Sequence, residues 1–243
     1  FVALCNDADF RAIDFSRLKV TMSGGMALTM AAARRWQEVT GVEIVEGYGM
    51  SETSPVISVN PVNANRLGTI GIAVPSTEVR LLDDDGNEVQ TGEPGELVVR
   101  GPQVMLGYWN QAGETAKVLS PEGWLHTGDV AVVTPEGYLK IVDRKKDMVV
   151  VSGFNVYPNE IEEVVVAHPD VLECAAVGIP DERTGEALRV FVVPRHPGLT
   201  AEALREFCRE NLTGYKMPRE FVFRAELPKS NVGKILRREL RDK

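Results

Sequence analysis

Six consecutive residues, Gly47-Tyr48-Gly49-Met50-Ser51-Glu52, place an aromatic face, a hydroxyl and a carboxylate side by side. Tyr48 could stack on a base, Ser51 could hydrogen-bond a phosphate oxygen, and Glu52 offers the oxygen ligand that Mg²⁺ prefers. An ordinary turn with a satisfied glutamate would use the same residues. Upstream, Gly24-Gly25 lets backbone approach a flat or anionic ligand closely, because glycine has no Cβ, although a plain turn is the commoner use of such a pair. Downstream, Asp129 ends the run Gly123-Trp124-Leu125-His126-Thr127-Gly128-Asp129, and a carboxylate there could accept both hydroxyls of a ribose or simply cap a turn. His126 is given no chemical role, since a lone histidine more often packs or hydrogen-bonds. Near the carboxyl end, Lys234 follows Gly233 and superficially suggests a phosphate-binding loop. Pro228 stands where that motif needs its first glycine, and Ile235 where it needs Ser or Thr, so the match fails. A functional Lys234 would act as a mobile point charge on a loop; a surface lysine is the commoner case.

The composition limits what these groups can serve. The chain has 243 residues, 44% hydrophobic and 26% charged, and no apolar run near the roughly 20 residues a bilayer-spanning helix needs. It reads as soluble and globular, with room for two domains. A formal charge of −8 excludes a general nucleic-acid binder, which needs a Lys/Arg surplus to neutralise phosphates. A local surplus lies in the tail, where Lys229, Lys234, Arg237, Arg238, Arg241 and Lys243 outnumber Glu239 and Asp242. Most of that run reads as the solvated face of a last helix. Cys5, Cys174 and Cys208 are far apart and form no CxxC pair, so neither a zinc site nor a disulfide framework is expected, and the setting reads as reducing and cytoplasmic. The chain starts at Phe1 without an initiator Met or a signal segment, so it reads as an excised piece of something longer.

The elements that must position these residues follow from pattern. From Leu18 a β-rich run to Met22, the glycine turn, a helix from about Leu28 to Val39 and the strand Val42 to Val45 alternate as in a layered α/β sheet. Such sheets bind ligands at the carboxyl ends of their strands, where Gly47 to Gly49 fall. From about 66 to 143 short β-type runs separated by turn signals (Asp84-Asp85-Gly86-Asn87, Gly92-Glu93-Pro94-Gly95, Pro135-Glu136-Gly137) predict a small antiparallel sheet or barrel. Charged Asp143 to Asp147 then interrupts the apolar pattern, and a hinge or domain boundary is expected near Lys145. Beyond it an α+β pattern predicts a helix after Pro158, strands at Cys174 to Ile179 and Leu188 to Val193, and a helix N-capped by Thr200.

Taken in order, these motifs resemble the adenylate-forming superfamily of acyl-CoA synthetases, luciferases and nonribosomal peptide adenylation domains. GWLHTGDVAVVTPEGYLKIVDRKK (123–146) is similar to the fatty acyl-CoA synthetase signature, and KDMVVVSGFNVYPNEIE and LPKSNVGKILRREL resemble bacterial long-chain fatty acid–CoA ligases. The resemblance covers essentially the whole chain. It implies a mixed α/β and α+β fold: residues 1–144 as the end of the large AMP-binding domain (1–65 an α/β layer, 66–143 a small β-barrel-like subdomain), then a small mobile domain over 145–243. It also implies ATP/AMP, Mg²⁺ and coenzyme A as ligands, with a fatty acid as co-substrate. Gly24, Gly25, Met26, Gly47, Tyr48, Gly49 and Met50 would surround the nucleotide base, Ser51 would touch the α-phosphate and Glu52 would bind the metal. Asp129 and Arg144 would hold the ribose, Lys146 would be the hinge, Gly153 would line the pantetheine path, and Lys234 would be the adenylation lysine. Ser51 stands where many relatives have Thr, which keeps the hydroxyl.

The implied chemistry is attack of a carboxylate on the α-phosphorus of ATP, then of the coenzyme A thiol on the acyl group, with rotation about Lys146 exchanging Lys234 for Gly153 between the steps. The family's Ser/Thr/Gly-rich pyrophosphate loop is not in this sequence, so the isolated chain is expected to be inactive. An aryl or medium-chain acid as substrate, or a non-catalytic nucleotide-binding module, are the rival readings. A homodimer and a peripheral contact with the inner face of the membrane stay open.

Overall fold

The computed structural model describes residues 1–231 and 233–241. Its contacts divide the chain into two units, Phe1–Ile141 and Val142–Lys243. The tail residues Asp242 and Lys243 counted above lie outside the described residues.

The first unit opens with two short helices, α1 (Val2–Asn6) and α2 (Ala8–Arg11), followed by β1 (Thr21–Ser23), α3 (Met30–Thr40), β2 (Ile44–Gly49), β3 (Val56–Val59) and β4 (Ile72–Ala73). The strands form one sheet in the order β1-β2-β3-β4, parallel between β1 and β2 and antiparallel thereafter. The helix expected from the apolar period is α3. Thr29 caps it by accepting the Ala32 N–H at 3.2 Å, and Gly41, at φ 74°, ends it in the left-handed region. Trp36 is buried and donates its indole N–H to Thr21 Oγ1 at 3.1 Å, which fastens α3 to β1.

The remainder of this unit is β5 (Glu78–Leu82), β6 (Gly95–Arg100), α4 (Ala112–Val118), β7 (Leu125–Val133) and β8 (Leu139–Arg144), the last running on into the second unit. These strands make a sheet in the order β5-β6-β7-β8, built around Leu81, Leu97, Ala131 and Leu139. The expected barrel-like subdomain is corrected here: among the described residues the strand order is that of an open sheet in which β5 and β8 do not pair with each other, and Leu139 of β8 bridges instead to Gly71. Four strands are too few to close at the tilt and stagger a barrel requires.

The second unit contains β9 (Val149–Val151), β10 (Phe154–Val156), α5 (Pro158–Val166), β11 (Val171–Asp181), β12 (Gly185–Pro194), α6 (Ala201–Asn211), β13 (Glu220–Phe223) and α7 (Arg238–Arg241). Its sheet runs β10-β9-β12-β11, with β13 also paired to β12. Alternation along β11 and β12 feeds two cores: Cys174, Ala176, Val190 and Val192 pack with Ile161, Val165, Leu204 and Cys208 from α5 and α6, while Ala175, Val177, Phe191 and Val193 pack with Leu227 and Leu240. Pro158 occupies the first turn of α5 and Thr200 caps α6 by accepting the Ala203 N–H at 3.2 Å. All three cysteines are buried free thiols, and burial pushes Cys208 up to about 11. No helix among the described residues is long and apolar enough to cross a membrane.

Candidate functional site

The residues singled out by chemistry fall into two groups, one in each unit. In the first unit the group forms around the end of β2. Gly47, Tyr48 and Gly49 pair with Val59, Ser58 and Val56 of β3, with a register shift between Tyr48 and Gly49. The approach is close: a Cβ on Gly47 would meet Ser58 O at 3.3 Å, and one on Gly49 would meet Pro55 O at 1.7 Å. Gly24 lies beside this strand end, since its Cβ would sit 3.4 Å from Gly47 O. Gly25 takes φ +84° with nothing within 4 Å of a built Cβ, and Met26 next to it is exposed.

Tyr48 donates its phenolic hydrogen to Asp129 Oδ2 at 2.5 Å, which brings two segments 81 residues apart into one place. Asp129 is aimed by its own strand: its N–H donates to Thr127 Oγ1 at 3.1 Å, and the Thr127 hydroxyl donates to Leu97 O at 2.7 Å on β6. After Gly49 the chain turns sharply, Met50 N–H donating to Pro55 O at 2.8 Å, and Ser51–Thr53 forms one 3₁₀ turn with Ser51 exposed. Glu52 accepts the Met105 N–H on its carbonyl at 2.7 Å and the Tyr108 hydroxyl on its carboxylate at 2.8 Å. That hydrogen bond to Glu52, together with burial, holds the Tyr108 phenol above its ordinary pKa, so Tyr108 remains a donor. Tyr108 was not singled out by sequence. Its neighbour Gly107 takes φ 149°.

A cleft of about 300 Å³ beside these residues is lined by Met50, Glu96, Tyr108, Lys117, His126 and Gly128 among others. His126 Nδ1 lies 3.3 Å from Glu96 Oε2, the partner a packing histidine would be expected to find. Among the described residues no group of three or more His, Cys, Asp or Glu could hold a metal by itself. A single carboxylate such as Glu52 fits Mg²⁺ in the mode where a substrate's phosphates and water supply the other oxygens.

In the second unit Arg144 and Lys146 are exposed, while Asp143 and Asp147 beside them are buried. Asp143 accepts the N–H groups of Arg144 and Asn159, both at 2.7 Å, and Arg241 donates to Lys146 O at 3.3 Å. Gly153, at φ +83°, sits in the exposed turn between β9 and β10. Lys234 lies on a tight hairpin: Ser230 N–H donates to Lys234 O at 2.8 Å, Lys234 N–H donates to Ser230 Oγ at 3.2 Å, and Lys229 bridges to Ile235. The basic tail is not one solvated face. Arg237 is only 16% exposed and pairs with Glu162 at 2.7 Å, Asp143 at 3.2 Å and Asp147 at 3.5 Å. Burial pushes the Asp143 and Glu162 carboxyls up, against the pull of Arg237. For Arg237 burial works downward, but Glu162, Asp143 and Asp147 outweigh it and hold the guanidinium above its ordinary pKa.

Two family models match the chain, the AMP-binding enzyme over residues 1–109 and the AMP-binding enzyme C-terminal domain over residues 160–234. The chain belongs to the AMP-binding enzymes. It is 58% identical, over its whole length, to the long-chain-fatty-acid–CoA ligase of Escherichia coli O157:H7, covering 43% of that protein. It is 42% identical to the long-chain-fatty-acid–CoA ligase of Bacillus subtilis strain 168, over 99% of this chain and 43% of that protein. Among solved structures, ATP-bound MatB from Rhodopseudomonas palustris matches with a TM-score of 0.86 at 33% identity, over 92% of this chain and 45% of that one. This AMP-binding chain therefore spans less than half the length of each of these relatives. The match to adenylate-forming structures agrees with the mixed α/β class expected from the alternation of elements.

Proposed function

We propose that this chain supplies the carboxyl-terminal portion of an ATP-dependent long-chain fatty acid–CoA ligase, which forms an acyl-AMP and then an acyl-CoA, releasing pyrophosphate and AMP. The observation that carries this reading is the 2.5 Å Tyr48–Asp129 hydrogen bond, which joins the ring that would face adenine to the carboxylate that would hold the ribose. Identity of 58% to a long-chain ligase supports the acyl class.

In the first step a carboxylate oxygen of the fatty acid attacks the α-phosphorus of ATP, and the bond from that phosphorus to the bridging oxygen of pyrophosphate breaks. Gly24, Gly25, Met26 and Gly47 to Met50 would make the base's surroundings, Ser51 would donate to an α-phosphate oxygen, and Asp129 and Arg144 would engage the ribose. Glu52, its carboxylate steadied by Tyr108, would hold Mg²⁺, which neutralises phosphate charge when bound. Lys234 would place its ammonium between the carboxylate and the phosphate, where negative charge concentrates in the transition state. In the second step the coenzyme A thiolate attacks the acyl carbon and AMP leaves with the electron pair of the broken anhydride bond. That step makes no use of Lys234. Lys146 would be the pivot that withdraws it and presents Gly153 to the pantetheine, with residues 145–243 moving as the small domain.

The test is Lys234→Ala in the full-length enzyme. Removing one preorganised charge contact at the reacting centre is expected to slow palmitate-dependent ATP–pyrophosphate exchange by about 10² to 10³. Preformed palmitoyl-AMP should still react with coenzyme A within a few-fold of wild type. Equal loss of the two steps would remove Lys234 from its role, and a wild-type enzyme without fatty-acid-dependent exchange would remove the reading itself.

A further inference from the structure

The hairpin bearing Lys234 is tied down at its base. Leu227 before it is buried, Lys229 pairs with Glu173 at 2.7 Å, and Leu236 N–H donates to Pro228 O at 2.9 Å. The next residue, Arg237, turns inward. Its Nε and Nη2 grip Glu162 Oε1 and Oε2 of α5 at 3.0 and 2.7 Å, a two-pronged contact. Nη2 also reaches Asn159 Oδ1 at 2.5 Å, while Nη1 faces Asp143 Oδ1 at 3.2 Å and Asp147 Oδ2 at 3.5 Å. One turn further on, Arg241 donates to Asp147 Oδ1 at 2.7 Å and to Lys146 O at 3.3 Å. Three segments distant in sequence therefore meet on one guanidinium: the stretch that flanks Lys146, the first turns of α5, and the end of the hairpin that carries Lys234.

We infer that Arg237 is a positioning residue for Lys234, seating the lysine hairpin against α5 and the Lys146 stretch so that lysine and pivot keep a fixed relation. This rests on the proposed adenylation role of Lys234. The physical argument is one of geometry. An ammonium on a hairpin contributes to a transition state only if it returns to the same point each time, and misplacement by about 1 Å costs on the order of a hundredfold. Only a planar fork with five donors can meet Glu162, Asn159 and Asp143 together; a lysine at 237 would keep the charge and lose the fork. Glu162 is itself fixed from the other side, accepting the Ala176 N–H at 2.8 Å, so the anchor is rigid.

The experiment compares Arg237→Lys, Lys234→Ala and the double variant in the full-length enzyme. Exchange of pyrophosphate into ATP should fall about tenfold to a hundredfold in Arg237→Lys, with reaction of preformed palmitoyl-AMP and coenzyme A unchanged within about threefold. In the Lys234→Ala background, where there is no ammonium left to position, adding Arg237→Lys should not slow the residual adenylation further. Glu162→Gln, which keeps the other partners of Arg237, should give a smaller loss of the same kind and stands in if Arg237→Lys does not fold. A purely structural clasp would instead depress both steps alike, or multiply the Lys234→Ala defect, and either outcome overturns the inference. Failure of exchange in wild type, or its retention in Lys234→Ala, would count against the proposed function and not against the clasp.

Discussion

Gly49 is where the site and the fold depend on the same missing atom. A Cβ there would stand 1.7 Å from Pro55 O, 2.6 Å from Pro55 C and 2.9 Å from Val56 Cα, all backbone atoms that cannot swing aside. Gly49→Ala would have to push β2 and the Pro55 turn apart by more than about 1 Å, against a normal interstrand spacing of about 4.8 Å. The Met50 N–H to Pro55 O bond, 2.8 Å long, would not survive that movement. An unmade partly buried backbone bond costs about 1 to 3 kcal/mol and forced overpacking about as much again, so the first unit should lose roughly 2 to 6 kcal/mol. Urea unfolding followed by tryptophan fluorescence is the assay, because Trp36, Trp109 and Trp124, the chain's three tryptophans, all lie in the first unit. Gly25→Ala is the control. Its site is open, so the variant bears only the left-handed backbone cost of about 1 to 2 kcal/mol, and its main effect should be weaker AMP binding. A Gly49→Ala chain with the wild-type unfolding midpoint would refute the close approach of β2 to Pro55.

Tyr48→Phe removes the donor that Asp129 accepts, and a hydrogen bond to a carboxylate is worth about 1.5 to 3 kcal/mol; the same fluorescence-monitored unfolding should fall by that amount, and an unchanged midpoint would mean the contact contributes nothing. Glu162→Gln reports on the buried cluster through pH. Burial raises the Glu162 carboxyl in the folded chain, so the native state binds its proton more readily than the unfolded state, and the contribution of ionisable Glu162 is largest below its unfolded pKa and declines as pH rises through the folded one. The stability advantage of wild type over Glu162→Gln, read from far-ultraviolet circular dichroism in urea, should therefore shrink as pH rises from acid towards neutrality. An advantage that grows with pH would mean that Arg237 outweighs burial.

How much of this was legible in the sequence depends on how far each cause reaches along the chain. The cap of α6 at Thr200, the proline in the first turn of α5 and the strands β11 and β12 are local, and each stood in the pattern that predicted it. The turn signals between 66 and 143 gave strands but not their closure, because an open sheet and a barrel have the same turns and differ only in which edges meet. Chemistry that needs a single residue type, such as the carboxylates of Glu52 and Asp129 or the ring of Tyr48, was visible; the hydrogen bonds that hold the carboxylates were not, since Tyr108 reaches Glu52 across 56 positions and Tyr48 reaches Asp129 across 81.

The basic tail gives the sharpest instance. Counted as a run, Lys229 to Arg241 looks like a solvated face, and Arg238 and Glu239 are indeed exposed. Helical phase divides the same run: Arg237 and Arg241, four apart, share the side that faces Asp147, and Leu240 between them is buried in the core with Phe191. Nothing in the local count distinguishes Arg237 from Arg238. What distinguishes them is the supply of carboxylates 75 to 94 residues earlier, at half-buried Glu162 and buried Asp143, which a guanidinium comes back to meet. Asp143 and Asp147 enclose Arg144, Lys145 and Lys146, so by sequence the two acids already have cations beside them, and only their burial in the fold shows why a distant guanidinium must reach them.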